Sequence, residues 1–405
     1  MKITGIKTHL VHCPIPEEHR VRSGAGYKLA RQAAFVEITT DEGISGYGPC
    51  SFGSVSLDLG SIATLIDSTY APAVVGEDPH RVEHVWDKIY YGAITRVHGP
   101  RSVGVAMLSA VDIALWDLKG KALGIPVYEL LGGAVRDPVP LYVSSVYWSP
   151  PEEAAAQARA FLDMGFKAFK VKVGLDVKND IDSLHAIRDE VGYDVDMLVD
   201  ANQCYTRHLA LQVGRELEKL GVLFFEEPLP VDDVDGHRFL ADKLDVRIAT
   251  GENMYTRWDF MPFFSQGAIH VVQADASRCG GISEAKKIAD IASGFHCHAV
   301  PHTFSDALTV VANLHVVAAS ANAPIMEYDR TYNPIQTELV TNPPAVHDSV
   351  IELPKGPGLG VEIDWDFVEA HPYTGEIGIG AGSRPAFGLV TEVIPDRSAT
   401  SLGTA

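Results

Sequence analysis

The chain has 405 residues, 46% of them hydrophobic and 21% charged, with a formal net charge of -20 from 33 basic and 53 acidic side chains. That length and apolar fraction support a large buried core and two or three domains. The acidic balance excludes nucleic acid and anionic membrane as partners unless a basic patch relieves it, and Lys286 with Lys287 is only an adjacent pair on a helix face.

The opening MKITGIKTHLVHC alternates as a strand does and has no basic n-region, so no signal peptide is expected. Residues 1 to about 60 read as antiparallel strands, ITGIKTHLVHC and QAAFVEITTDEGISGYG, with Asp41-Glu42-Gly43 turning between alternating runs. From about 61 to 125 the period becomes helical and ends in SAVDIALWDLKGKALGI. There Val111, Leu115 and Leu118 share one face, and Gly124 with Pro126 stops the helix. Strands followed by helices make 1–125 an α+β module.

From Val139 onward short apolar runs alternate with amphipathic helices. The runs are LYVSSVYW, AFKVKV, DMLVD, VLFFE, RIATGE, IHVVQAD, CHAVPH and PIME. Eight strands with helices between them predict a parallel sheet closed as a barrel over 126–327. Residues 328–390, rich in Gly and Pro, are expected to return to the N-terminal module, and 391–405 to form a flexible tail. No apolar run reaches 18 residues, so no transmembrane helix is expected. The five cysteines (Cys13, Cys50, Cys204, Cys279, Cys297) contain no Cys-x-x-Cys, which fits a reduced, cytoplasmic protein. The neighbours of His296-Cys297-His298 alternate around an apolar strand, so no zinc site is read there.

Each barrel run closes on an ionisable residue: Lys172, Asp200, Glu226, Glu252, Asp275, His302 and Glu327, at intervals of 23 to 28 residues. One such interval is one strand–helix unit, so all seven should face the C-terminal mouth where barrel active sites form. A single Asp after a strand is usually a helix N-cap, but seven at regular spacing are not explained that way. Asp200, Glu226 and Glu252 on consecutive strands would repel one another, and a hard divalent cation such as Mg²⁺ relieves this. With the cation taking up charge, a group nearby can remove the proton next to a substrate carboxylate and give an enediolate. Lys170 and Lys172 point to one side of their strand, and two adjacent ammonium groups should depress each other's pKa, making one a base. Asp275 beside His302 should fix the imidazole tautomer and raise its basicity. Glu327, if protonated, could hydrogen-bond the substrate carboxylate as charge develops.

These residues, within SAVDIALWDLKGKALGIPVYELLGG, FKVKVG, VDANQ, FFEEPLP, ATGEN, QADASRCGG and PHTF, resemble the mandelate racemase subgroup of the enolase superfamily over residues 1 to about 365. The resemblance implies that Lys172 is a base assisted by Lys170 and that Asp200, Glu226 and Glu252 bind one Mg²⁺. It also implies that Asp275 and His302 form a second base dyad, that Glu327 is an electrophilic glutamate and that Asn202 is a site residue. The barrel would be capped by a module from both chain ends, and the protein would be a homo-oligomer acting on a small-molecule carboxylate. Specificity would lie in the capping loop near residues 17–30, where Arg20, Arg22, Tyr27 and Lys28 could reach a polyhydroxy or second carboxylate group. The expected fold is therefore α/β, a modified (β/α)8 TIM barrel with an α+β capping domain. The expected reaction is Mg²⁺-dependent dehydration of an aldonate or aldarate to a 2-keto-3-deoxy acid. A racemase or epimerase and a lactone cycloisomerase would use the same Lys and His groups. A non-catalytic sugar-acid binder is the alternative outside the enzymes.

Overall fold

The N-terminal strands β1 (Ile3–Pro14), β4 (Ala30–Thr40) and β5 (Ser45–Cys50) pair antiparallel in the order β1-β4-β5, and the turn between β4 and β5 carries Gly43 at φ 76°. Between β1 and β4 lie the short strands β2 (Arg22–Ser23) and β3 (Gly26–Lys28). This is a computed structural model, and it describes residues 1–23, 26–50, 58–92, 94, 98–376 and 378–380. The expected tail at 391–405 lies outside the described residues.

The helix Val103–Leu123 is buried on nearly every side rather than on the one face that Val111, Leu115 and Leu118 define. Sheet β1-β4-β5 covers one side of it. Glycines make that contact close: a Cβ on Gly46 would lie 2.3 Å from the Ala114 carbonyl, and one on Gly48 only 1.9 Å from that of Ala110. On the other side runs the barrel helix Gly281–Gly294. There the Ser283 N–H and hydroxyl donate to Asp112 at 3.0 and 2.6 Å, and Gly280 N–H donates to Ser109 Oγ at 2.8 Å. Burial pushes Asp112 up to about 7. The helix ends at Gly124, at φ 73°, where only Gly is unstrained.

The barrel strands are β6 (Val139–Val146), β7 (Ala168–Lys172), β8 (Asp196–Asp200), β9 (Phe224–Glu226), β10 (Arg247–Thr250), β11 (Val271–Val272), β12 (His298–Ala299) and β13 (Met326–Asp329). Their pairings are parallel and run β13-β6-β7-β8-β9-β10-β11-β12. Helices pack outside, so the strands are buried on both faces. One apolar layer plugs the interior: Tyr142, Ala168, Leu198, Phe224, Ala249, Val271 and Val300. Strand alternation then decides what lies above it. Lys170 and Lys172 follow Ala168 by two and four residues, Asp200 follows Leu198 by two, Glu226 follows Phe224 by two, and His302 follows Val300 by two.

The chain after β13 first stays with the barrel. Strands β14 (Val346–His347) and β15 (Val350–Ile351) form a hairpin, and β15 pairs antiparallel with the start of β6. It then crosses to the N-terminal module, where His12 N–H bonds the His371 carbonyl at 3.0 Å and β16 (Ile379–Gly380) pairs with β3. Asp117 ties the two ends together, accepting from the Tyr47 and Leu359 N–H groups at 2.9 and 2.8 Å. Among the described residues no helix is long and apolar enough to cross a membrane.

Candidate active site

Asp200 and Glu226 are the last residues of β8 and β9, and Glu252 lies two residues past β10, after Gly251 at φ 146°. One oxygen from each carboxylate falls within 4.8 Å of the other two, the only such cluster of possible metal ligands among the described residues. All three are buried. Asn202, at φ 44°, donates its N–H to Asp200 Oδ1 at 2.8 Å and its amide to Oδ2 at 3.2 Å, which orients that carboxylate. Glu252 Oε2 is buried with no hydrogen-bond partner. Three hard oxygen donors at this spacing, one of them orphaned, suit a hard divalent cation, whose neighbouring ligands sit about 3 to 4 Å apart.

The two lysines of β7 enter this cluster from the side. Lys170 Nζ lies 2.9 Å from both oxygens of Glu226 and 2.7 Å from Glu327 Oε1. Lys172 Nζ bonds Asp200 Oδ2. Here the carboxylates of the neighbouring strands set the charge balance of both lysines, and a cation held by Asp200 and Glu226 would compete for those carboxylates. Burial, and each lysine's charge on the other, would lower an ammonium pKa, but both groups are instead raised, Lys170 by Glu226 and Glu327 and Lys172 by Asp200. Carboxylates on the adjacent strands outweigh the neighbouring ammonium. Burial first and Asp200 second push Glu226 well above its usual range, because the buried acids outnumber the cations beside them. The strand position of Glu327 is corrected. This residue is the second of β13, not its last, and despite burial Lys170 and His302 hold it well below the usual range. It accepts the Thr303 N–H at 2.8 Å. Its Oε1 thus meets Lys170 and its Oε2 the Thr303 N–H.

On the opposite side, His302 Nδ1 lies 2.9 Å from Asp275 Oδ2, with the other nitrogen, Nε2, 3.5 Å from Glu252 Oε2. Asp275 and His302 each sit three residues past their strands, β11 and β12. Asp275 Oδ1 accepts from the Ser277 N–H (2.9 Å), the Ser277 hydroxyl (2.7 Å) and Asn313 Nδ2 (3.1 Å). Burial alone would raise this acid, but the His302 hydrogen bond and charge bring it below its usual value. Lys172 beside Asp200 and His302 beside Glu252 thus flank the carboxylate triad.

Several contributors were missed in the sequence. Asn313 also donates to the His302 carbonyl at 3.1 Å. Its signal was an amide in the largely apolar helix Ala307–Ala318. Glu227, at φ 39°, is buried and accepts from Gln203 and Asn253, which also bonds Glu252 at 3.3 Å. The second Glu of FFEEPLP was its signal. Gln273 is buried in the barrel with neither amide atom partnered among the described residues.

The capping residues separate. Arg20 is exposed and donates to the Ile15 carbonyl at 3.4 Å, outside the cluster. Arg22 stacks 5.5 Å from the Trp148 ring. Tyr27 pairs through its backbone with Arg22 and Gly380, and its side chain lies outside the described residues. Lys28 is buried, its Nζ 3.6 Å from the centre of the Phe304 ring. The His296-Cys297-His298 stretch gathers no metal cluster among the described residues, and the Cys297 thiol bonds the Ile269 carbonyl.

Residues 153–367 match the family model described as enolase C-terminal domain-like. Residues 9–132 match the N-terminal domain model of mandelate racemase / muconate lactonizing enzyme. Arabinonate dehydratase of Saccharolobus solfataricus is 37% identical, over 81% of this chain and 87% of its own. D-galactarolactone cycloisomerase of Agrobacterium fabrum is 33% identical, over 90% and 97%. A crystal structure from Bordetella bronchiseptica RB50, of a protein provisionally assigned as a mandelate racemase, superposes with a TM-score of 0.91 at 48% identity, covering 94% of this chain and 97% of that one. With both models matched on a barrel and cap of this form, the chain belongs to the mandelate racemase / muconate lactonizing enzyme group of the enolase superfamily.

Proposed function

We propose that this enzyme dehydrates an acid sugar, an aldonate or aldarate, to a 2-keto-3-deoxy acid, with Mg²⁺ held by Asp200, Glu226 and Glu252. The observation that carries the reading is the placement of two proton-transferring side chains, Lys172 and His302, against opposite members of one carboxylate triad. Elimination needs that pair: one group to take the C2 proton, and an acid to release the 3-hydroxyl. The cation, when bound, would neutralise the substrate carboxylate and the charge that develops on it.

Lys172 or His302 removes the C2 proton, according to which face of the substrate carries it. The C2–H electrons move onto the C1 carboxylate, giving an enediolate. They return to form the C2–C3 double bond as the C3–O bond breaks, His302 supplying the proton that makes the leaving hydroxyl water. The enol then takes a proton at C3 and gives up the proton of its C2 hydroxyl to become the 2-keto acid. Lys170 and the Thr303 N–H fix Glu327 beside this centre, and Asn313 with Asp275 fixes the imidazole. The likeness to arabinonate dehydratase supports the reading. Cycloisomerisation of a sugar-acid lactone is the second reading, favoured by the likeness to the galactarolactone enzyme over nearly the whole chain.

The test is a panel of aldonates, aldarates and their lactones with Mg²⁺ in D₂O, followed by proton NMR and a 2-keto-acid assay. A 2-keto-3-deoxy product from an open-chain acid supports dehydration, and product from a lactone alone supports cycloisomerisation. Deuterium entering C2 with no keto acid would replace both with racemisation or epimerisation.

A further inference from the structure

The capping strand β3 delivers one cation to the barrel mouth that is not balanced there. Lys28 is buried, with its ammonium over the ring of Phe304, two residues past His302. Arg31 lies 4.9 Å from the same ring, but it is paired with Asp329 at 3.0 Å and donates to the Tyr332 carbonyl at 2.9 Å. Lys170 and Lys172 likewise hold carboxylates. Among the described residues Lys28 has no carboxylate within 4 Å. A second polar group is equally unserved. Tyr147, just past β6, is buried and its hydroxyl has no hydrogen-bond partner among the described residues.

Lys28 shares the Phe304 ring with Arg31, Arg31 pairs with Asp329, and Asp329 lies beside Ser144, three residues before Tyr147. Arg22, paired with Tyr27 next to Lys28, stacks over Trp148, so the two residues approach the mouth from adjoining strands around the Arg31–Asp329 pair. Burial first and Arg31 second press the Lys28 ammonium well below its usual value. A buried charge of this kind is costly unless an opposite charge meets it.

We propose that Lys28 and Tyr147 form a subsite for a second carboxylate at the far end of the substrate, so that the preferred substrate is an acyclic polyhydroxy dicarboxylate. The proposal rests on the acid-sugar reading above and narrows it. A terminal carboxylate supplies Lys28 with its missing counter-charge and accepts charge-assisted hydrogen bonds from the ammonium and the Tyr147 hydroxyl. A terminal hydroxymethyl group supplies no charge. Discrimination of this kind follows from leaving a buried cation unpaired and not from shape.

Initial rates with Mg²⁺ are to be compared for acid sugars identical except at the terminal carbon, carboxylate in one and hydroxymethyl in the other. Wild-type enzyme should favour the dicarboxylate in kcat/KM by about 10²- to 10³-fold, the range expected when one partner of a buried charge pair is removed. Lys28→Met should bring the ratio of the two kcat/KM values toward one, and Lys28→Arg should keep most of it. Wild-type enzyme that turns over the monocarboxylate as well as the dicarboxylate overturns the proposal while leaving the acid-sugar reading intact. So does a Lys28→Met enzyme with an unchanged ratio. Wild-type enzyme inert toward both kinds of acid sugar overturns both. Should Lys28→Met fail to fold, the wild-type ratio and Tyr147→Phe, expected to reduce that ratio, still decide the matter.

Discussion

Asp275→Asn keeps the shape of a buried side chain and changes only which atoms can accept. Three donors converge on Oδ1, while among the described residues Oδ2 meets only His302 Nδ1, at 2.9 Å. The Ser277 hydroxyl can rotate, but the Ser277 N–H cannot, and Asn313 Nδ2 is held between Asp275 and the His302 carbonyl. Setting the new NH₂ against those two fixed donors would leave buried groups unsatisfied at about 1–3 kcal/mol each. The amide oxygen therefore takes the Oδ1 position, and the NH₂ faces His302. The imidazole must then accept at Nδ1 and carry its proton on Nε2, the nitrogen turned toward Glu252. A base so tautomerised has no lone pair to offer, and a histidine held in the wrong tautomer costs about 10⁴-fold in rate, or about 5 kcal/mol of barrier. The assay is dehydration and C2 proton exchange in D₂O, on an acid sugar whose proton faces His302. Thermal unfolding should show a folded variant, and ¹⁵N shifts of His302 should show the exchanged tautomer. Activity within tenfold of wild type would refute the argument.

Asp200→Asn, Glu226→Gln and Glu252→Gln should each lower Mg²⁺-dependent turnover by about 10²-fold or more, and each should weaken the rise in melting temperature that Mg²⁺ gives the wild type by binding the folded state; an unchanged Mg²⁺ shift would remove that residue from the ligand set. Gly48→Ala puts a Cβ 1.9 Å from the Ala110 carbonyl, so urea unfolding should show a loss of about 3 kcal/mol or more, and a neutral result would contradict the packing of β5 on the helix Val103–Leu123. For Asp112, burial raises the folded pKa to about 7 from the usual carboxylate value near 4. The folded state then binds more protons than the unfolded between those values, so this group's contribution is complete below about pH 4 and is lost as pH rises to about 7, by about 4 kcal/mol at most. Asp112→Asn should flatten the fall in urea stability over that window, and equal slopes in both proteins would count against the buried carboxylate.

The barrel was legible because each of its strands is buried on both faces and reads as an apolar run, and because one ionisable residue recurs per strand–helix unit. Lys172, Asp200 and Glu226 do end β7, β8 and β9. Lys170-x-Lys172 marks the limit of that reading: adjacency along a strand shows the like charge two residues away, but not the carboxylates of the neighbouring strands. The partner of Glu327 is hidden in the same way, since Lys170 is distant in sequence and near only once β13 pairs with β6 and β6 with β7.

Strand alternation is a property of the covalent chain, so the sequence by itself determined which side chains rise above the plug of the barrel. It also determined the residue types gathered there, three carboxylates, two lysines and an Asp–His pair. Only the tertiary structure decided their partners and the direction in which each is pushed, because these depend on distances of a few ångströms across strands and on burial that removes water. It also decided which capping residue reaches the mouth. Arg20 and Lys28 are only eight residues apart, yet the pairing of β3 with β16 and the packing over Phe304 bury Lys28 while Arg20 stays in solvent.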